Sequence, residues 1–136
     1  MEKQKTLIID ASVMVKWFLN EENSDKARVI RSDLEKGNIS IIVPELLFLE
    51  IPNSLRYNKV KEKNILAANK ILFEAGFRIA QLNEGVMLKT IENSVKYNIT
   101  LYDALYVTLA QIHGTFLITS DKELYKVPNV IALEKI

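Results

Sequence analysis

Two rhythms of apolar and polar positions alternate along the chain. Short runs rich in β-branched residues occur at Thr6–Asp10, Ile39–Val43, Phe77–Leu82, Phe116–Thr119 and Val130–Leu133. Such runs, bounded by polar or turn-forming residues, predict buried strands. The intervening segments carry apolar residues at helical spacing. Ser12 opens a short helix, Val13–Leu19, and Ser24 opens one reaching Lys36 with Ala27, Ile30 and Leu34 on one face. Gly37-Asn38 stops it.

Pro44 suits the first turn of a helix that aligns Leu47, Ile51 and Leu55. Pro52 removes a bond to the carbonyl of Phe48 and predicts a kink. Lys63–Glu74 is a helix with Ile65, Ala68, Ile71 and Leu72 inward, closed by Gly76. Asn83 caps Glu84–Tyr97, which Asn98 ends. Thr100 caps Leu101–Ile112, apolar on nearly every face and therefore buried, and Gly114 ends it. Strands separated by helices predict an α/β fold with a parallel sheet.

The length of 136 residues fits a single domain, residues 1–136, with a real core. Composition narrows the chemistry. Cysteine is absent, which excludes disulfides and Cys-ligated zinc. The single histidine, His113, argues against His-rich metal sites and a Ser-His-Asp triad. Acid–base or metal chemistry must therefore rest on carboxylates. A net charge of +1 gives no global pull toward nucleic acid, so any such contact needs a local patch. The charged start, Met-Glu-Lys-Gln-Lys, precedes an apolar stretch interrupted by Asp10 and Lys16, which fails as a signal-peptide core. No run approaches a transmembrane helix. These features lead us to expect a soluble, cytoplasmic protein.

Four acidic residues stand apart from the solvated ones. Asp10 follows the first strand, Glu50 sits mid-helix among apolar neighbours, Asp103 opens an apolar helix, and Asp121 follows the fourth strand. Each has a plain structural explanation. Asp10 can end a strand, Glu50 can face solvent, Thr100-x-x-Asp103 is a capping-box pattern, and Asp121 can cap a turn. Right-handed parallel crossovers nevertheless place the ends of strands one and four on one rim, and Ser12 and Asp103 start helices there. Carboxylates about 5–8 Å apart repel by roughly 2–3 kcal/mol per pair at an effective dielectric near 20. Protons or cations must compensate. All-oxygen ligation suits Mg²⁺ or Mn²⁺, ions that polarise water and offset charge on phosphates.

The motifs Ile-Ile-Asp10-Ala-Ser12, Leu-Glu50-Ile-Pro-Asn53-Ser-Leu55, Leu-Tyr-Asp103-Ala-Leu-Tyr and Leu-Ile-Thr119-Ser-Asp121-Lys occur in this order over nearly the whole chain. In these motifs the sequence resembles the PIN-domain ribonucleases, above all the small toxins of the VapC type. The resemblance implies a three-layer α/β/α sandwich on about five parallel strands in the order 3-2-1-4-5. It also implies Mg²⁺- or Mn²⁺-dependent RNA cleavage by Asp10, Glu50, Asp103 and Asp121. Asp10 and Asp103 would be the central metal ligands, with Ser12, Asn53 and Thr119 orienting ligands or water. A small antitoxin and a second copy of the chain are the implied partners. Pro52 departs from the family, which has a helix former between Glu and Asn.

Arg56, Lys59, Lys61 and Lys63 form a basic run around Tyr57 that serves either as a solvated turn or as a phosphate contact for RNA. Trp17, Phe18, Tyr102 and Tyr106 are expected to pack. Two rival readings remain open. A haloacid-dehalogenase-like phosphatase also places Asp after its first strand, but needs Asp-x-Asp where this chain has Ser12. A catalytically silent binding module would use the carboxylates as caps.

Overall fold

Ile, Val and Leu crowd the short runs, and these runs become the strands of one sheet. A computed structural model describes residues 4–136; Met1–Lys3, part of the charged start, lie outside the described residues. The strands are β1 (Lys5–Ile9), β2 (Ile39–Pro44), β3 (Arg78–Ala80), β4 (Leu117–Thr119) and β5 (Val130–Ala132). Their order is β3-β2-β1-β4-β5, as the resemblance implied, and every pairing is parallel. Ile8 pairs with Ile42 on one side and Leu117 on the other, so β1 is central. The central strands are buried on both faces, and β3 is an exposed edge.

The helices are α1 (Ala11–Met14), α2 (Ser24–Glu35), α3 (Leu46–Tyr57), α4 (Glu62–Glu74), α5 (Glu84–Tyr97) and α6 (Leu101–Ile112). A 3-10 turn, Val15–Trp17, continues α1 where a longer helix was expected. In α3, Leu47, Ile51 and Leu55 are fully buried, each contributing about 1.5–3 kcal/mol. All of Ala104–Ala110 in α6 is buried, as its apolar character predicted. Together these elements form the three-layer α/β/α sandwich. Among the described residues no helix is long and apolar enough to cross a membrane.

Several local expectations need correction. Pro44 ends β2, in register with Ala80, instead of starting α3. Pro52 is no such case: it lies inside α3, which continues past it as one helix from Leu46 to Tyr57. Ser24 is the first residue of α2 and follows the cap Asn23; its hydroxyl bonds the carbonyl of Leu19 at 2.7 Å. The loop before α2 uses that hydroxyl, so it cannot also serve the helix.

Candidate active site

The chain order reverses between β1 and β4, a topological switch point at the carboxyl ends of these strands. Such a switch point is where open α/β sheets bind ligands. Asp10 leaves β1 there in extended conformation and caps α1, accepting from the backbone N–H of Val13 at 3.3 Å. Ser12 was expected to be that cap. It lies instead in the first turn and donates its hydroxyl to Oδ1 of Asp10 at 2.5 Å. A carboxylate caps as well as a hydroxyl does, and Asp10 stands one step nearer the strand. Thr119, at the end of β4, donates to the other oxygen of Asp10 at 2.5 Å. Ser12 also accepts the backbone N–H of Ser120 at 2.9 Å. The two strand ends are thereby tied together through one buried carboxylate, 4% exposed.

The hydroxyl of Thr119 accepts the backbone N–H of Asp121 at 3.0 Å, and Asp121 caps the 3-10 turn Lys122–Leu124 through the N–H of Glu123. Asp103 sits in the first turn of α6, where its backbone N–H donates to Thr100 at 3.1 Å. The reciprocal half of a capping box, from the Asp103 carboxylate to the N–H of Thr100, is absent among the described hydrogen bonds. The carboxylate is half-buried, and the Thr100 hydroxyl favours its ionised form. Glu50 projects from α3, half-buried, and its Oε1 accepts the phenol O–H of Tyr106 at 2.6 Å.

Tyr106 corrects the expectation of simple packing: it is buried, yet it reaches the acidic rim. The signal was present, because Asp103 and Tyr106 are three apart and share a face of α6. Tyr102, by contrast, is 64% exposed. Asn53 is exposed and bonds none of the four carboxylates among the described residues. Arg56, Lys59, Lys61 and Lys63 are exposed around the α3–α4 turn. Arg56 lies about 9 Å along the helix axis from Glu50.

Electrostatics couples the acidic groups. Burial pushes the Asp10 carboxyl up to about 6, against the hydrogen bonds of Ser12, Thr119 and Val13, and the charge of Asp103 pushes it further. Burial raises Glu50 as well, offset by the Tyr106 hydrogen bond and reinforced by Asp103. Asp103 is raised by burial, then by the charge of Asp121, with the Thr100 hydroxyl opposing and Glu123 adding. Burial and the charge of Glu50 drive the Tyr106 phenol upward, so it remains a neutral donor.

The donor set is made of hard oxygens. Among the described residues, no group of three His, Asp or Glu side chains forms a ready cage for an ion. Mg²⁺ does not require one, since it keeps several waters and commonly takes one or two carboxylates. The residues present fit such an ion, and a cation there would offset the burial penalty and mutual repulsion that raise these carboxyls.

Comparison with known proteins follows the same lines. A toxin–antitoxin complex from Klebsiella pneumoniae superposes at TM-score 0.67 and 17% identity, covering 93% of this chain and 97% of that one. PAE2754 from Pyrobaculum aerophilum gives 0.68 at 21% identity, covering 96% and 92%. VapC20 from Mycobacterium tuberculosis, a sarcin–ricin loop cleaving toxin, gives 0.73 at 12% identity, covering 91% and 96%. No curated protein matches the sequence. At these identities the structural likeness speaks for the fold alone. The sequence profile of the PIN domain, however, matches residues 7–130 and so spans all four acidic positions. The sheet order, the acidic rim and that match agree: this chain belongs to the PIN domain family.

Proposed function

We propose that the protein is a metal-dependent endoribonuclease that cuts single-stranded or structured RNA and acts as the toxin of a VapBC-type toxin–antitoxin pair. The observation that carries this reading is the buried Asp10 carboxylate, clamped at the switch point by Ser12 and Thr119. The charges of Glu50, Asp103 and Asp121 belong to the same electrostatic group. A fold that spends burial on such a group gains function from it, because the group destabilises the metal-free protein.

Asp10 and Asp103 would hold Mg²⁺ or Mn²⁺, with Glu50 and Asp121 completing the site. When bound, such an ion polarises water and offsets phosphate charge. Ser12 and Thr119 fix both oxygens of Asp10, so its orientation precedes ligand binding. Glu50 orients the attacking water and accepts its proton. Asn53, exposed one turn beyond Glu50, would hydrogen-bond the strand being cut. Arg56, Lys59, Lys61 and Lys63 would hold phosphates further along the RNA.

The Klebsiella complex supports a small antitoxin as partner. A second copy of the chain is also proposed, supported by exposed Leu88, Ile91 and Val95 along one stripe of α5.

The test is an RNA cleavage assay in Mg²⁺ or Mn²⁺, with and without chelator. Cleavage should stop in chelator, and Asp10→Asn should lose at least about 100-fold in rate, the scale of one preorganised contact to the reacting group. Equal cleavage by wild type and Asp10→Asn would sink the reading.

A further inference from the structure

Of the four acidic side chains, Glu50 has the longest path from backbone to carboxylate. Asp10 is held at both oxygens, by Ser12 and Thr119. Asp121 is held by the turn that it caps. Glu50 rises from the middle of α3, and its backbone places its carboxylate only loosely, since three side-chain torsions intervene. Its one hydrogen bond among the described residues is the 2.6 Å contact with Tyr106, 56 positions further along the chain. That contact joins α3 to α6, the helix that also carries Asp103.

We propose that Tyr106 is a positioning residue of the acidic centre, its phenol O–H fixing Oε1 of Glu50 and leaving Oε2 as the oxygen presented to cation and water. The inference rests on the nuclease reading above and adds a residue to it. Three observations converge. Tyr106 is 1% exposed, so its ring is locked by packing and its hydroxyl cannot wander. The hydroxyl reaches across from α6 to Oε1 of Glu50 on α3 at 2.6 Å, so it ties together the two helices that carry Glu50 and Asp103. A phenol O–H can donate to the Glu50 carboxylate without adding a further charge to the group. Positioning of this kind is what converts a carboxylate near a substrate into one aimed at it.

The test removes one oxygen atom. Tyr106→Phe keeps the ring and the packing, and circular dichroism should match wild type. We expect kcat for RNA cleavage to fall about 10- to 100-fold with KM within about twofold, the signature of a contact that matters in the transition state. Mn²⁺ affinity, measured by calorimetry without RNA, should weaken about 3- to 10-fold. The double variant Tyr106→Phe/Glu50→Gln should be no worse than Glu50→Gln alone in either readout, because Tyr106 acts through Glu50.

Wild-type kcat and Mn²⁺ affinity in Tyr106→Phe would overturn the proposal and leave the hydroxyl a packing detail. Additive losses in the double variant would also overturn it. A wild type that binds Mn²⁺ but never cuts RNA would defeat the nuclease reading, while the Mn²⁺ cycle would still decide the role of Tyr106. A wild type that does neither would overturn both.

Discussion

Asp103 serves α6 through its backbone N–H, and the Thr100 hydroxyl also favours its ionised carboxylate. The cap bond runs from its N–H to Thr100. Asn would keep that bond, so Asp103→Asn isolates the charge. Without metal, removing one member of a mutually repelling group should leave stability level or higher. With Mn²⁺ in excess, stabilisation follows RT ln(1 + [L]/Kd), so a tenfold weaker site forfeits about 1.4 kcal/mol of it. Thermal melting in chelator and in Mn²⁺ measures both. A mutant that melts lower without metal, yet gains as much from Mn²⁺ and cuts RNA fully, would make Asp103 a cap. The residue scale also shows what sequence reading reaches. Asp10, Glu50 and Asp103 stood out because each carboxylate adjoins apolar residues, and Asp121 because it follows a strand. Tyr106 did not, because a tyrosine in an apolar helix already has a sufficient explanation in packing. Ser12 was singled out but given the cap that Asp10 supplies, since cap preference cannot separate Asp from Ser two residues apart.

Among the elements, capping chemistry was legible for α5 and α6 but not for α1 and α2, whose caps are Asp10 and Asn23. Asn83 caps α5 through Val86 at 2.9 Å, and Thr100 caps α6, both as their side chains predict. β3 was less legible: six residues were expected and three pair, because an edge strand ends where its partner β2 ends. The same cause moved Pro44 from helix start to strand end. Helix α3 shows the limit of local rules. Pro52 interrupts its bonding ladder, yet Leu47, Ile51 and Leu55 are buried on both sides of it, and that burial holds the helix together. An interior proline costs about 3 kcal/mol in a helix, of which roughly 0.4–1 kcal/mol returns through a stiffer unfolded chain. Pro52→Ala should therefore raise stability by about 2 kcal/mol in urea denaturation. RNA cleavage should stay near the wild-type rate, because Tyr106 and not the local backbone aims Glu50. Greater stability with cleavage abolished would show that the proline sets the position of Glu50.

At the scale of the whole molecule, the acidic centre sets stability against function, and pH exposes the conflict. The ordinary Asp value is 3.8, and in the fold Asp10 titrates at about 6. A raised carboxyl favours the protonated fold. Its contribution is complete below about 3.8 and is lost as pH rises through about 6. Two units correspond to about 3 kcal/mol, as an order of magnitude. Glu50 and Asp103 are raised as well and act in the same direction. A bound cation reverses the preference, because it stabilises the ionised carboxylates and competes with protons for them. Two consequences follow for melting curves recorded between pH 5 and pH 7.5. In chelator, Asp10→Asn should gain stability relative to wild type as pH rises, since it lacks the charge that burial penalises. In Mn²⁺, the wild type should gain little at pH 5 and several degrees at pH 7.5, whereas Asp10→Asn should gain little at either. A pH-independent difference between the two proteins in chelator would mean that Asp10 is not penalised by burial. Equal Mn²⁺ stabilisation at both pH values, in both proteins, would place the metal away from this rim.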